Sequence, residues 1–339
     1  MKKIAILGPS LESFGGVNVT IKELSDFFKK QNFEVHLFPV GKTEINDNEC
    51  IHPINSDKKD KQFLLLKEKI KRFDFDLIIA NNLRTHFLLS SLNLKNDLYV
   101  FHQGSLLQKK SFFTYLKQKI KFKKIYNKKR VVFLNECFKN GFLRKFKVDL
   151  YYKLIPNPFD FERIRKRAVE FELESDYILG VGRLTKDKNF EFLLKAYALG
   201  NFKQELWILG EGKEKEKLKS LAKKLNIADK VKFIGWQQNP YPYIKNASLL
   251  VHPSKFESFG NVLVEALILN TPVVATDIKC GPNEILTEEL SEFLVPLNRV
   301  DILAEKIYKA LENYPEIKDE YIEKYKLENV GKKYLEFLY

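Results

Sequence analysis

The sequence is poor in the residues that define several special classes of protein. Its 339 residues include three cysteines, one methionine and two tryptophans. Cys50, Cys137 and Cys280 are far apart and form no CxxC pair, which excludes a disulfide-rich scaffold or a structural zinc site and favours a reducing cytosol. No apolar run approaches about 18 residues, so we expect no membrane-spanning helix. The first apolar run ends after four residues, which is too short for a signal peptide.

The residues that are present are typical of a globular protein with a large core. Hydrophobic residues make up 45% and charged residues 30% of the chain. At roughly 100–200 residues per domain, the length predicts two domains. The net charge is +14, and residues 1–160, with 30 basic and 16 acidic side chains, carry all of it. Residues 161–339 hold 28 of each sign. The first half is therefore the part that we expect to meet an acidic partner.

Short apolar runs alternate with helical patterns along the chain. Two series of strands are predicted, at residues 4–7, 35–38, 77–80, 98–101 and 131–134, and then at 177–181, 206–209, 231–234, 248–251, 272–275 and 293–295. Continuous apolar strands with helices between them favour parallel sheets covered on both faces. Two such series predict an α/β protein with two doubly wound, Rossmann-like domains. The boundary is placed at residues 155–160, because Pro156 and Pro158 continue neither a helix nor a central strand.

Two short segments have the composition of an anion site. Gly15 and Gly16 lie between the first strand and the first helix, where the backbone can approach a ligand and the helix N-terminus favours an anion. An ordinary tight turn explains the glycine pair equally well. Arg183 and Lys188 follow the first strand of the second series, at the end where such sheets bind ligands. Two cations there suit a diphosphate, although a solvated loop would also carry them.

The most informative segment covers residues 254–267. Its central residues are predicted to form the first turn of a helix, whose amides would face an anion: Phe259, Gly260, Asn261 and Val262. Glu257 and Glu265 are eight residues apart, about two helical turns, so both carboxylates can face one cleft. A carboxylate at such a site accepts hydrogen bonds from sugar hydroxyls. The alternative is that Glu257 caps the helix and Glu265 is a surface residue.

Together these segments resemble the family 4 glycosyltransferases, which are retaining nucleotide-sugar transferases of the two-domain GT-B fold. The matches follow the family's order over nearly the whole chain: Gly15-Gly16, His102 after a strand, Ile155-Pro156-Asn157, Gly182-Arg183-Leu184 with Lys188, Gly210-Glu211-Gly212, Phe233-Ile234-Gly235 and Glu257-x7-Glu265. The sequence departs from the family at Pro158 and Asn189, where glycine is frequent. The resemblance implies an acceptor-binding domain at 1–157 and a nucleotide-sugar-binding domain at 158–318, facing a central cleft. A C-terminal helix at 319–339 would pack back on the first domain.

The resemblance also implies a role for each matched residue. Glu265 would hold the ribose hydroxyls, and Glu257 would contact the donor sugar. His102 would reach the same sugar, although a lone histidine at a strand end is more often structural. Arg183 and Lys188 would bind the diphosphate. The expected catalytic residues are Glu257, His102, Arg183 and Lys188, and the donor-binding set adds Gly15, Gly16, Phe259, Gly260, Asn261, Val262 and Glu265. No Asp-x-Asp metal motif accompanies these segments, so we expect no metal and no other cofactor.

The donor and acceptor are less well defined by the sequence. Residues 276–286 resemble members that use UDP-hexoses or UDP-N-acetylhexosamines in bacterial lipopolysaccharide or capsule synthesis, with a glycan or lipid-linked acceptor. Retention could arise by double displacement through a carboxylate or by same-face attack, which the resemblance favours. The alternatives are a GT-B nucleotide-sugar epimerase or a glycan phosphorylase. The pI of 9.3 also raises a nucleic-acid-binding protein, but no nucleic-acid module is recognisable and no such partner is expected.

One basic segment suggests where the protein is located. Residues 109–130 contain no acidic side chain and ten basic ones: Lys109, Lys110, Lys117, Lys119, Lys121, Lys123, Lys124, Lys128, Lys129 and Arg130. A helix would place Phe112, Phe113, Leu116 and Ile120 on one stripe beside the lysines. Such a helix can lie in an anionic membrane interface, or its stripe can pack on the sheet. We expect a cytoplasmic protein attached peripherally to the inner face of the cytoplasmic membrane.

Overall fold

The computed structural model describes residues 1–11, 15–102, 111–173 and 176–338. The chain divides into two compact units. The first unit is Met1–Phe159 together with Tyr325–Tyr339, and the second is Asp160–Lys324. Each unit contains a parallel sheet of six strands with helices packed against it. This architecture confirms the predicted α/β class with two doubly wound domains.

The sheet of the first unit has the strand order β2-β1-β3-β4-β5-β6. Its strands are β1 (Lys3–Pro9), β2 (Glu34–Val40), β3 (Leu77–Ala80), β4 (Asp97–Phe101), β5 (Arg130–Phe133) and β6 (Tyr151–Leu154). Its helices are α1 (Gly16–Lys30), α2 (Lys59–Ile70), α3 (Leu83–Ser90), α4 (Phe112–Tyr126), α5 (Glu136–Phe146) and, from the C-terminal segment, α14 (Leu327–Leu335). Every residue of β3 and β4 is buried, as expected for parallel strands covered on both faces. The helices α2, α3, α4 and α5 pack side by side in sequence order.

The second unit has the strand order β12-β11-β10-β7-β8-β9. Its strands are β7 (Tyr177–Val181), β8 (Glu205–Leu209), β9 (Val231–Gly235), β10 (Leu249–His252), β11 (Val273–Asp277) and β12 (Leu294–Pro296). Its helices are α6 (Phe161–Arg167), α7 (Phe190–Gly200), α8 (Lys215–Lys224), α9 (Tyr241–Lys245), α10 (Asn261–Ile268), α11 (Pro282–Ile285), α12 (Val300–Glu312) and α13 (Asp319–Ile322). All eleven strands predicted from apolar runs are present. The twelfth, β6, escaped prediction because its side chains are largely exposed.

Each sheet has one point where the strand order reverses. In the first unit it lies between β1 and β3, and in the second between β10 and β7. In doubly wound sheets, ligands bind in the crevice outside the carboxyl ends of the strands at this point. The two reversals therefore mark the loops after β1 and β3 and the loops after β7 and β10 as the places to look for a site.

The unit boundaries fall slightly later than the predicted ones at 157/158 and 318/319. Phe159 N donates to Tyr325 O and Leu327 N donates to Phe159 O, both at 2.9 Å, so Phe159 stays with the first unit. Residues 319–324 belong to the second unit, where Lys324 Nζ donates to Glu284 O. The remaining C-terminal residues lie with the first unit: a Cβ on Gly331 of α14 would stand 2.5 Å from the Phe27 ring of α1.

Candidate active site

Glycines bring two loops of the second unit into close contact after β7 and β8. A Cβ on Gly210 would lie 2.0 Å from Gly182 O, and Gly210 has a φ of +142°, which L side chains rarely adopt. Leu184 N donates to Glu211 O at 2.8 Å. The motifs Gly182-Arg183-Leu184 and Gly210-Glu211-Gly212 therefore form one structural unit. This unit fixes the backbone of Arg183, whose side chain is exposed at the carboxyl edge of the sheet.

An ion pair links the loops on either side of the strand reversal. Lys255 N donates to Asp187 O at 2.8 Å, which joins the loop after β10 to the loop after β7. Lys188 Nζ lies 2.5 Å from Glu257 Oε2, with both side chains mostly buried. Burial alone would raise the pKa of Glu257, but His252 and the Lys188 ammonium outweigh it and hold this pKa well below its usual range. Glu257 is therefore an ionised, paired carboxylate.

Three buried polar residues around this pair were not predicted. His252 Nε2 lies 3.3 Å from Glu257 Oε2, and burial lowers the pKa of His252, so its ring is neutral at pH 7. His252 Nε2, Ser254 Oγ and Asn189 Nδ2 are buried and accept or donate no hydrogen bond within the described residues. Buried polar groups are normally hydrogen-bonded, and a functional role is one explanation for those that are not. His252 and Ser254 stand at the end of β10, ahead of Glu257, and that position was the signal available in the sequence.

The backbone at Asn189 explains a departure from the family pattern. Asn189 has a φ of 53° and a ψ of 37°, the left-handed conformation, and it immediately precedes α7. Glycine adopts this conformation freely, and asparagine is the residue type that replaces it most readily. The change from glycine to asparagine therefore preserves the helix start beside Lys188.

The helix α10 begins at Asn261, so Phe259 and Gly260 lie outside the first turn in which they were predicted. Gly260 precedes it with a φ of +103°, and Asn261 and Val262 form its first turn. Phe259 is not in that turn but buried in the preceding loop, because the positive φ of Gly260 breaks the helical path. First-turn amides have no partner inside the helix. Asn261 and Val262 lie in this first turn, and their role toward an anion stays a prediction.

Glu265 has surroundings opposite to those of Glu257. It lies on α10, partly buried near the Tyr241 phenol, and no cation lies within 4 Å of its carboxylate in the described part of the chain. Burial raises the pKa of Glu265 to about 7. An unpaired buried carboxylate suits a ligand that brings its own hydrogen-bond donors, such as sugar hydroxyls.

The first unit presents its predicted residues at the carboxyl edge of its own sheet. Gly15 precedes α1, and a Cβ placed on it would meet nothing within 4 Å among the described residues, which leaves the start of α1 open. Residues 12–14 and 103–110 lie outside the described residues. His102 Nε2 is 3.1 Å from Asn81 Oδ1, and Asn81 Nδ2 donates to Leu7 O. Burial lowers the pKa of His102 to about 4, against a weaker opposing effect of Asn157. Asn81, at the end of β3, was not predicted.

The sequence does contain one Asp-x-Asp pattern, Asp74-Phe75-Asp76. It lies at the amino end of β3, the opposite edge from His102, and Asp76 Oδ2 accepts the amide of Lys3. It is therefore a structural feature of the sheet's other edge. Within the described residues, no group of three or more histidine, cysteine, aspartate or glutamate side chains could hold a metal ion.

The structure thus assembles the predicted residues in two groups, one in each unit. Arg183, Lys188, Glu257 and the start of α10 share the strand reversal of the second unit. Gly15, Gly16 and His102 share the carboxyl edge of the first. Cations, helix amides and an unpaired carboxylate at a strand reversal are the features expected of a doubly wound domain that binds a nucleoside diphosphate.

Comparison with known proteins identifies the family. Residues 161–328 match the family described as glycosyl transferases group 1. This match, together with glycosyltransferase relatives over nearly the whole length, shows that the chain is a glycosyltransferase. It is 29% identical to the N-acetylgalactosamine-N,N'-diacetylbacillosaminyl-diphospho-undecaprenol 4-alpha-N-acetylgalactosaminyltransferase of Campylobacter jejuni, over 99% of this chain and 100% of the relative. It is 28% identical to an uncharacterized glycosyltransferase of Haemophilus influenzae, over 94% of this chain and 92% of the relative.

Solved structures share the fold. The Anabaena protein Alr3699/HepE, crystallised with UDP and glucose, matches with a TM-score of 0.78 and 16% identity, over 100% of this chain and 99% of that chain. TarM of Staphylococcus aureus, crystallised with fondaparinux, alpha-GlcNAc-glycerol and UDP, matches with a TM-score of 0.79 and 15% identity, over 100% of both chains. The comparisons favour none of the alternative functions considered above. In the part of the chain that the structure describes, no helix is long and apolar enough to cross a membrane.

Proposed function

We propose that this glycosyltransferase moves a hexose or an N-acetylhexosamine from a UDP-sugar, with retention of configuration, during synthesis of a bacterial surface glycan such as lipopolysaccharide or capsule. The observation that carries the proposal is the strand reversal of the second unit, where the loop that holds Arg183 and Lys188 lies beside the loop that leads into α10. Relatives with named surface-glycan roles support the pathway class, among them lipopolysaccharide core glycosyltransferases of Rhizobium meliloti and an amylovoran glycosyltransferase of Erwinia amylovora.

In this proposal the charges of the site act on the leaving diphosphate. Arg183 and Lys188 oppose the negative charge that grows on the diphosphate in the transition state, together with the amides of Gly16, Asn261 and Val262. Glu257 orients Lys188 and contacts the donor sugar. Glu265 accepts hydrogen bonds from the ribose hydroxyls. His102, uncharged at pH 7, serves the donor sugar as a hydrogen-bonding group.

The contacts of Glu257 favour same-face attack over double displacement. Its Oε2 is paired with Lys188 and its Oε1 accepts the amide of Ser258, so both oxygens are engaged, which makes the carboxylate a poor nucleophile toward the anomeric carbon. In same-face attack, the leaving phosphate takes the proton of the acceptor hydroxyl, and no covalent sugar–enzyme bond forms. Mass spectrometry of rapidly quenched enzyme should therefore show no glycosylated Glu257, and a trapped adduct would reject this mechanism.

The test of the whole proposal is transfer itself. The protein, incubated with a UDP-hexose or UDP-N-acetylhexosamine and a lipid-diphosphate-linked sugar, should release UDP and form an α-linked product from an α-linked donor, as read by NMR. The Campylobacter relative, whose name specifies a diphospho-undecaprenol-linked substrate, supports this acceptor class. An inverted product, or UDP release that no acceptor accelerates, would contradict the proposal. Since Arg183 and Lys188 supply the countercharge, we also propose that EDTA leaves the rate unchanged.

The helix α4 supports attachment to a membrane. Its stripe does not pack on the sheet: Phe112 and Phe113 are 70% and 76% exposed, and Ile120 is 65% exposed. The opposite face, with Phe122 and Tyr126, enters the core instead. An apolar stripe in solvent between lysines matches an interfacial helix. We propose that α4 docks on anionic lipid at the inner face of the cytoplasmic membrane, with about 1 kcal/mol from each lysine at the surface.

Flotation with liposomes tests the membrane proposal. Binding should require anionic lipid and fall between about 0.1 and 0.5 M salt, as the screening length shortens from about 10 Å. Charge reversal of Lys119, Lys121, Lys123 and Lys124 to glutamate should abolish flotation while UDP binding stays intact. As a matched control, Leu199→Ser, at a 61% exposed position of the second unit, should float like the wild type, whereas Ile120→Ser should float less. Equal flotation with neutral lipid would reject the idea.

A further inference from the structure

A groove of about 760 Å³ lies between α2 and α3 in the first unit. Its walls are Phe63 and Leu64 from α2 and Phe87 and Leu88 from α3, with Lys59 and Arg84 at the rim. The volume is within the range of roughly 300–1,000 Å³ that is usual for small-molecule sites. None of the residues proposed to act on the donor lines this groove.

The groove adjoins the proposed membrane helix. Lys121 of α4 places its Nζ 3.5 Å from the centre of the Phe87 ring, and the Phe122 ring lies 6.4 Å from the same ring. Leu64 is 62% exposed at the groove's edge. Both helices that form the groove begin at the carboxyl edge of the sheet, the edge that also carries His102 and Asn81. A lipid that enters from the surface covered by α4 therefore meets an apolar wall at the same edge of the unit as a predicted catalytic residue.

The charge beside the groove suits a phosphate. Lys59 and Lys121 make no ion pair within the described residues, and burial together with the nearby Lys59 charge lowers the pKa of Lys121. Arg84 adds a third cation, which Gln62 orients through a 2.9 Å hydrogen bond. Of the two acids, Asp57 is paired with Lys42, and Asp60 balances only one of the three cations. A phosphate near Lys59 and Lys121 would relieve their mutual repulsion.

We infer that this groove binds the lipid end of the acceptor, with an isoprenoid chain against Phe63, Leu64 and Phe87 and the attached phosphate between Lys59 and Lys121. The inference rests on the proposed lipid-linked acceptor and assigns it a place in the fold. Chain and phosphate are recognised together, so neither half alone should bind well.

Calorimetry with farnesyl diphosphate, used below its aggregation limit, tests the inference without any need for catalysis. The wild-type chain should bind it at least about tenfold more tightly than it binds farnesol or inorganic pyrophosphate. Leu64→Glu and Lys121→Glu should each weaken binding by about tenfold or more. Two matched controls should bind like the wild type: Leu199→Glu, at an equally exposed leucine, and Lys117→Glu, at another lysine of α4.

Three results would overturn the inference. They are absent binding of farnesyl diphosphate, equal binding to the Leu64 variant and the wild type, and equal competition by a short-chain phosphatidate, which would make the groove a site for bulk lipid. The same samples are titrated with UDP. If the wild type does not bind UDP, the result counts against the proposed function. If it binds UDP but not farnesyl diphosphate, the result counts only against the inferred lipid site in the groove.

Discussion

Replacing Glu265 by glutamine should stabilise the ligand-free protein at alkaline pH while weakening nucleotide binding. Burial raises the pKa of Glu265 from 4.5 to about 7. Between these values the folded state binds the proton more tightly than the unfolded state, so the free energy of unfolding falls as the pH rises through this window. Above it, the wild type carries the whole penalty. The shift corresponds to roughly 3 kcal/mol, at about 1.4 kcal/mol per pKa unit.

The difference between the two proteins should therefore depend on pH. A protonated glutamate resembles glutamine, so their free energies of unfolding should coincide near about pH 4.5 and diverge to roughly 3 kcal/mol at about pH 8. Denaturant titrations across this range measure the gap, and the melting temperature at pH 8 should rise by several degrees. Glu305→Gln is the control, because Glu305 is exposed on α12 and forms no ion pair in the described structure. The difference in the free energy of unfolding between Glu305→Gln and the wild type should stay near zero across the pH range.

Two results of this experiment bear on separate parts of the reasoning. A gap that stays constant from pH 4.5 to 8 would refute the claim that burial of the carboxylate destabilises the free protein. For the ligand, loss of a charged hydrogen-bond acceptor should weaken UDP binding by about tenfold. Unchanged UDP affinity in calorimetry would refute the proposed ribose contact, even if the stability effect were found.

Three further predictions concern other parts of the two units. Lys188→Ala should lower the turnover number more than it weakens donor binding, because the stabilisation by the Lys188 ammonium increases as negative charge develops on the leaving group. Normal turnover with a raised Michaelis constant would contradict this prediction. Gly210→Ala should destabilise the protein by more than about 2 kcal/mol in denaturant titration, whereas Gly15→Ala should not, because Gly210, unlike Gly15, combines a positive φ in the left-handed region with a close backbone contact. Because burial lowers the pKa of His102 to about 4, the unfolded state binds its proton more tightly, and the free energy of unfolding falls as the pH drops from about 6.5 to 4. The free energy of unfolding of His102→Gln should fall less over that window. An equal fall in both proteins would show that the histidine titrates normally.

The sequence predicted those parts of the fold that depend on buried apolar runs. Strands such as β3 are apolar throughout because both faces are covered, so their composition alone identifies them. The strand β6 reads Tyr-Tyr-Lys-Leu, and its pairing with β5 comes from the edge of an existing sheet rather than from burial. Likewise, the position of Phe259 outside α10 depends on the positive φ of Gly260, a backbone value that the residue type allows but does not dictate.

The site was predicted only as far as residue types and chain order can specify it. Arg183, Lys188 and Glu257 lie at strand ends, and the strand order then brings their loops together. The partners of these residues depend on tertiary packing: His252 beside Glu257, and Asn81 beside His102. Each stands at the end of a buried strand, so position gave a signal, but the identity of the partner required the structure.

The spacing of Glu257 and Glu265 shows why a motif does not assign chemistry by itself. Both residues are glutamates on one short segment, and at the level of sequence they are interchangeable. Glu257 meets the Lys188 ammonium across the strand reversal and stays ionised. Glu265 lies on α10 with no cation beside it in the described structure, and burial raises its pKa to about 7. In the proposed function, the first carboxylate positions the Lys188 cation for the diphosphate, and the second accepts hydrogen bonds from the ribose hydroxyls. Their different roles therefore follow from what the neighbouring elements, β7 and α9, place beside each of them.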